Sequence, residues 1–283
     1  MIGLVVVFGC VLGGFAMVGG PFPVLIQPSE LVVIGGAAFG ALMVSAPGAV
    51  RTRVFTAFKH SFKPDLPTKQ DYIEILTILS QLFQLMRRDG ALALEQHVSD
   101  PSKSSIFSKY PNFMRRHHAR DFLIDGLRQL VDGCSVTDLT LLLDADLETM
   151  HEEEHQPIGL IRGTGDALPG LGIVAAVLGI IVTMAHLDGG PEEIGHHVAA
   201  ALVGTFLGIL LCYGVVGPLS TSLEMQAQCQ TRYMLAIKDG LLSAARGSPP
   251  AISVEFARRA IFTDERPSNE ETAKAIQAGK EMK

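Results

Sequence analysis

ALPGLGIVAAVLGIIVTMA (Ala167–Ala185) and VAAALVGTFLGILLCYGVVG (Val198–Gly217) contain no charged side chain, and no Lys or Arg occurs anywhere from Gly163 to Thr231. A second cation-free zone, Met1–Val50, holds two more apolar stretches, Ile2–Gly20 and Leu31–Ala49. Each has about the 20 residues that a helix needs to cross a hydrocarbon core. All 23 Lys and Arg residues fall outside these zones, in Arg51–Arg162 and Arg232–Lys283. Cationic flanks mark the cytoplasmic side of a membrane protein, and Arg51 and Arg53 directly follow the second stretch.

The expected fold is all-α, a polytopic membrane protein with four transmembrane helices and a helical cytoplasmic domain. Residues 1–50 carry spans one and two, 51–166 the cytoplasmic helical domain, 167–218 spans three and four, and 219–283 C-terminal cytoplasmic helices and a tail. Pro21–Glu30 and His186–His197 lack Lys and Arg and are expected to face outside, with both termini in the cytoplasm. The first stretch lacks the basic leading region of a cleavable signal peptide.

Composition agrees with a membrane chain. Mean hydropathy is +0.31, and charged residues make up 18% against about 25% in soluble domains. The net charge of -6 and the lack of a basic patch with interleaved aromatics argue against a nucleic-acid partner. Four dispersed cysteines show no metal-ligand spacing, and those on the cytoplasmic side predict no disulfide.

In the cytoplasmic block, apolar residues at Tyr72, Ile75, Leu76, Leu79, Leu82, Phe83 and Met86 have helical spacing. Arg87-Arg88-Asp89-Gly90 reads as a cationic last turn closed by a glycine cap. Further helices are expected from near Ala91 to a stop before Asp100-Pro101, over Ala119–Val131, Val136–Glu154, Leu219–Ala245 and Val254–Phe262, with a polar, mobile tail from Ser268. Neither a strand pattern nor a Ser/His/Asp, Cys/His or phosphate-loop signature occurs, so no enzyme, cofactor or metal site is expected. The His117-His118 and His151–His155 stretches read as solvated helix faces.

In span three, Pro169, Gly172, Ala176, Gly179 and Thr183 recur at helical steps. In span four, Ala201, Thr205, Gly208 and Cys212 do the same, with Gly204 beside them. Small residues on one face let helices approach closely in lipid. Thr205 either bonds its own backbone or lines a pathway. Pro169 and Pro218 fit either a boundary marker or a hinge. The acids Glu30, Asp166, Glu192 and Glu193 lie at span ends, and His186, His196 and His197 sit at the outer ends. Ion carriers normally hold an ionisable group at mid-membrane. If ions cross here, the carboxylate is expected from another chain.

Several stretches resemble the MotA family of flagellar stator subunits, within the MotA/TolQ/ExbB proton channel superfamily: GDALPGLGIVAAVLG (Gly165–Gly179), VGTFLGILLCYG (Val203–Gly214) followed by Pro218-Leu219, QPSEL (Gln27–Leu31), ALE (Ala93–Glu95) after Arg87-Arg88, and VEFARRA (Val254–Ala260) with ERPS (Glu265–Ser268). The likeness runs essentially end to end. It implies a bacterial inner-membrane, multi-pass stator subunit of motility and chemotaxis. Such a subunit forms a pentamer around a dimer of MotB, which supplies the ion-carrying Asp, and drives FliG of the rotor.

The resemblance assigns Pro169 and Pro218 to coupling, Thr205 to the channel wall, and Arg87, Arg88 and Glu95 to the rotor interface. Ala176 stands where sodium-driven relatives carry a threonine hydroxyl. A methyl group cannot replace water around sodium, so the ion implied is the proton. The alternatives are a TolQ/ExbB-like channel energising an outer-membrane process and a non-conducting membrane scaffold.

Overall fold

A computed structural model describes residues 2–61, 65–185 and 190–281, except the side chains of His60, Glu192 and Glu193. His186, and the expected roles of Glu192 and Glu193, therefore lie outside the described residues. The chain is helical throughout, with no strand among the described residues. In order the helices are α1 (Ile2–Met17), α2 (Phe22–Leu25), α3 (Pro28–Ser45), α4 (Gly48–Ser61), α5 (Lys69–Asp89), α6 (Glu95–Ser99), α7 (Pro111–Arg115), α8 (His117–Val131), α9 (Val136–Ala185), α10 (Pro191–Leu211), α11 (Gly217–Ala245), α12 (Pro250–Ala260) and α13 (Asn269–Glu281). A 3₁₀ turn (Ala91–Leu94) precedes α6, and a π turn (Cys212–Val216) joins α10 to α11.

The chain divides into two compact units. The first comprises residues 1–64 and 153–225, the second residues 65–152 and 226–283. The boundaries anticipated at 50, 166 and 218 follow the expected lipid edge, whereas these follow packing. Helices α9 and α11 each contribute residues to both units.

The first unit carries the apolar helices. Three segments, Phe22–Ser45, Val136–Ala185 and Ile194–Ala245, are long and apolar enough to cross a membrane, and α1 is a shorter apolar helix. Gly19, at φ +69, ends α1 before the anticipated Gly20. Its backbone N–H donates to Ala16 O, and that of Gly20 to Phe15 O. Ala46-Pro47 ends α3 short of the anticipated Ala49. The unit is packed inside out relative to a water-soluble domain. Its buried cluster is small, Ile34, Ala38, Leu168, Ala175 and Cys212. Meanwhile Ile173, Val177, Ile181 and Met184 of α9 point outward, as residues facing lipid or another subunit do.

The second unit has an ordinary water-soluble core. Tyr72, Ile75, Leu76, Leu79, Leu82 and Phe83 of α5 are fully buried against Leu123 and Leu127 of α8, Tyr233 and Ile237 of α11, and Ala257 of α12. Thr68 and Asp71 close a capping box at the start of α5. Asp71 also receives Arg116 Nη2 at 3.0 Å and Nε at 3.2 Å. The Ser268 tail departs from expectation, because α13 forms and packs on α5. Its start is capped reciprocally by Ser268 and Glu271. Gly279 lies so close to α5 that Gln81 Nε2 donates both to its carbonyl and to Tyr110 Oη, each at 3.0 Å. Polar composition concealed a narrow docking stripe, Thr272, Ile276 and Gly279.

Candidate functional site: the span three and four interface and the charged turn

Spans three and four meet through backbone. A Cβ on Gly172 of α9 would lie 2.7 Å from Gly204 O, 3.2 Å from Gly208 Cα and 3.3 Å from Thr205 Cα. A Cβ on Gly179 would lie 2.7 Å from Ala201 Cβ. The small-residue stripes anticipated on each span therefore face each other. Ala176 is buried in this seam with its backbone nitrogen towards Gly204, and Ala175 is buried beside it.

The two threonines behave differently. Thr183 Oγ1 donates to Gly179 O at 2.9 Å, one turn earlier. Thr205, half-buried, makes no such bond among the described residues.

Pro169 lies inside the continuous helix α9 rather than at the start of a separate one. Without an N–H it leaves the carbonyl of Gly165 short of its helical donor. Gly165 packs tightly on Val216, where a Cβ would lie 2.7 Å from its Cγ1. Pro218 occupies the first turn of α11, directly after the π turn. Gly217 N–H donates to Cys212 O, an i to i−5 bond that widens the helix where Pro218 could not supply a regular one. Prolines and π turns are recognised causes of bends. The π turn was not foreseen; Gly217-Pro218 is the local sequence that directly follows it.

In the second unit, Arg87, Arg88 and Glu95 are all exposed. Gly90, at φ +85, caps α5 with its N–H on Met86 O and turns the chain, so that Arg87 and Glu95 flank the turn. Arg88 is held by Asp89 through Nε at 2.9 Å and Nη2 at 2.7 Å. Asp89 carries a lowered pKa through its hydrogen bond and charge interaction with Arg88. Arg87 instead donates to the carbonyl of Gly247 at 3.4 Å. Its charge is unneutralised, as is that of Glu95, whose side chain makes no ion pair among the described residues. The VEFARRA and ERPS stretches are structural. Arg258 is buried, pairs with Glu255 at 2.7 Å and donates to Pro267 O at 2.9 Å, tying α12 to the start of α13.

Sequence reasoning missed the placement of Glu30. It begins α3 at the end of a span, as expected, yet its side chain is buried with Ile34 and Ala38 on one face of that helix. Among the described residues, no group of three or more His, Cys, Asp or Glu side chains is arranged to hold a metal.

This chain matches the family described as Motility protein A N-terminal over residues 1–90, and the MotA/TolQ/ExbB proton channel family over residues 115–235. Motility protein A of Salmonella typhimurium is 38% identical over 279 residues, covering 98% of this chain and 95% of that protein. A chain of the flagellar MotAB stator complex from Bacillus subtilis superimposes with a TM-score of 0.74 at 26% identity, covering 90% of this chain and 92% of the other. A chain of C. jejuni MotAB shares the fold, with a TM-score of 0.78, 22% identity and coverage of 95% and 97%.

Proposed function

The chain belongs to the motility protein A family, and on that premise we propose that it is a flagellar stator subunit which, with MotB, forms a proton channel and turns proton flow into torque on FliG. The single observation that carries the reading is the seam of spans three and four. Two helices in backbone contact carry Ala176 and Thr205 in one seam, where Gly172 meets Thr205 Cα and Gly204 meets Ala176 N, and the segment is bounded by Pro169 and by Pro218 with its π turn. The TolQ/ExbB-like alternative is less well supported, because the match to the motility protein A N-terminal family covers residues 1–90, with spans one and two.

In this reading α1 is the first of four spans, both termini are cytoplasmic, and the chain sits in the bacterial inner membrane. Five copies surround a MotB dimer. A MotB aspartate binds a proton in the layer of Ala176 and Thr205. Neutralising that carboxylate removes most of its desolvation cost and changes its preferred contacts. Strain released at Pro169 and Pro218 passes to the cytoplasmic unit, where Arg87 and Glu95 engage charges on FliG. Exposed charges without an ion-pair partner supply steering and register more than affinity, which suits repeated stepping. Arg88 contributes less because Asp89 already neutralises it.

The test is swimming of a host that lacks its own subunit and carries this chain with MotB. Speed is expected to be unchanged when potassium replaces sodium and to vanish with a protonophore. Sodium dependence would overturn the ion assignment. Failure to swim with confirmed assembly would overturn the stator reading. Glu95→Lys is expected to abolish swimming at normal membrane levels, and undiminished speed would remove Glu95 from the rotor interface.

A further inference from the structure

The carboxylate of Glu30 occupies a place where the packing calls for an apolar residue. Glu30, Ile34 and Ala38 form the buried face of α3, and Glu30 is only 7% exposed. Its Oε2 is sealed from solvent and has no hydrogen-bond partner. The atom points at Gly204 of span four, and a Cβ there would collide with it. The same notch touches Ala175 Cβ and Ala176 N of span three. Gly204 is about 9 Å along the helix from Val198, at a rise of 1.5 Å per residue. Glu30 thus begins at a span end but delivers its carboxylate into the layer of Ala176 and Thr205.

Ordinary explanations for a buried acid fail here. Glu30 is the third residue of α3, yet no capping box forms there, in which the Gln27 backbone N–H would donate to its carboxylate. No cation of this chain can answer it from the spans, because Met1–Val50 and Gly163–Thr231 contain neither Lys nor Arg. The nearest described titratable side chains on α10 are His196 and His197, about two turns outward, with Glu192 and Glu193 further towards its start, and Asp166 of α9 and Cys212 of the π turn lie towards the opposite end. An unpaired charge away from water is costly, and a carboxyl group avoids it by binding a proton. Ionisable groups so placed in membrane helices mark ion paths.

We propose that Glu30 is a proton-carrying residue of this chain's own, working in series with the partner's carboxylate. In each cycle its carboxylate takes one proton from water on the outer side and releases one proton inward, with no net change to the residue. Gly204 is the specificity element that leaves room for the group. The proposal rests on the channel reading and adds to it a second acid, supplied in cis.

The test uses proteoliposomes holding this chain with its MotB partner, with proton uptake followed by an internal pH-sensitive dye. Glu30→Gln keeps the shape and cannot carry a proton, while Glu30→Asp keeps the proton site and alters the shape. With assembly unchanged, uptake is expected to fall at least tenfold for Glu30→Gln and to be partly retained for Glu30→Asp. A packing role predicts the reverse order, and uptake by Glu30→Gln within twofold of wild type overturns the proposal. If wild type itself conducts no protons, the channel reading has failed. In that case, or if Glu30→Gln does not assemble, treatment of the wild-type complex with dicyclohexylcarbodiimide decides the matter. A mass-spectrometric adduct on Glu30 supports a proton-binding carboxyl, and an unmodified Glu30 overturns it.

Discussion

Adding one methyl group at Gly172 tests the seam directly. A Cβ there would stand 2.7 Å from the carbonyl oxygen of Gly204, about 0.6 Å inside an ordinary C···O approach of about 3.3 Å. The obstructing atoms are backbone, so no side chain can swing aside, and the helices must separate. A gap of 0.5–1 Å forfeits about a quarter to a half of each dispersion contact along the seam, and overpacking of this kind costs about 1–3 kcal/mol.

Replacing a helical glycine with alanine also brings a propensity gain of roughly 0.5–1 kcal/mol. Gly163→Ala isolates that gain, because nothing lies within 4 Å of a Cβ at Gly163 on the same helix. The difference in stability between Gly172→Ala and Gly163→Ala is therefore expected to be the steric cost alone, about 1–3 kcal/mol. Thermal unfolding of both variants in the same detergent measures it. Thr205 Cα lies 3.3 Å from the added methyl, so swimming is expected to slow for Gly172→Ala and to hold for Gly163→Ala. Equal stability and equal speed for the pair would refute the backbone contact between spans three and four.

The Asp71–Arg116 pair, 13% and 11% exposed, makes the second unit acid-sensitive. Burial pushes the Asp71 pKa up, but hydrogen bonds from Thr68 and Arg116 and the Arg116 charge outweigh it, and the net shift is downward. A depressed carboxyl contributes its stability fully above the unfolded value of about 3.9 and loses it as pH falls through the lower folded value. Thermal stability is therefore expected to decline with acid below about pH 4, and Asp71→Asn to flatten that part of the profile. At neutral pH the same variant is expected to cost about 3 kcal/mol, the low end for breaking a buried pair, since Arg116 keeps the carbonyls of Asp65 and Leu66. An unchanged acid profile would dismiss the pair. At the C-terminus, Gly279→Leu would place a Cβ 2.7 Å from Thr77 Cγ2 and 2.8 Å from Tyr110 Oη. It is expected to undock α13, seen as rapid proteolysis after Ser268, and wild-type resistance would show that the helix is not held there.

Much of this protein was legible in one dimension because a membrane punishes polarity without regard to neighbours. The absence of Lys and Arg from Met1–Val50 and Gly163–Thr231, and the glycine and alanine steps of Ala167–Ala185 and Val198–Gly217, required the apolar helices and their small-residue faces wherever those helices came to rest. The heptad-like spacing of α5, its Gly90 stop and the exposure of Arg87 and Glu95 follow from local rules in the same way. Facts about pairs of distant residues had no such signature. Whether Thr205 bonds its own helix, whether Arg87 or Arg88 is neutralised, and whether a polar tail docks through Thr272 and Gly279 depend on what stands opposite. Glu30 shows this most clearly. In sequence it is an acid at the edge of a span, a place where water ordinarily receives it. Packing α3 against α10 puts the glycine of position 204 before its carboxylate, and the missing Cβ, an absence on another helix, turns a boundary residue into a buried one.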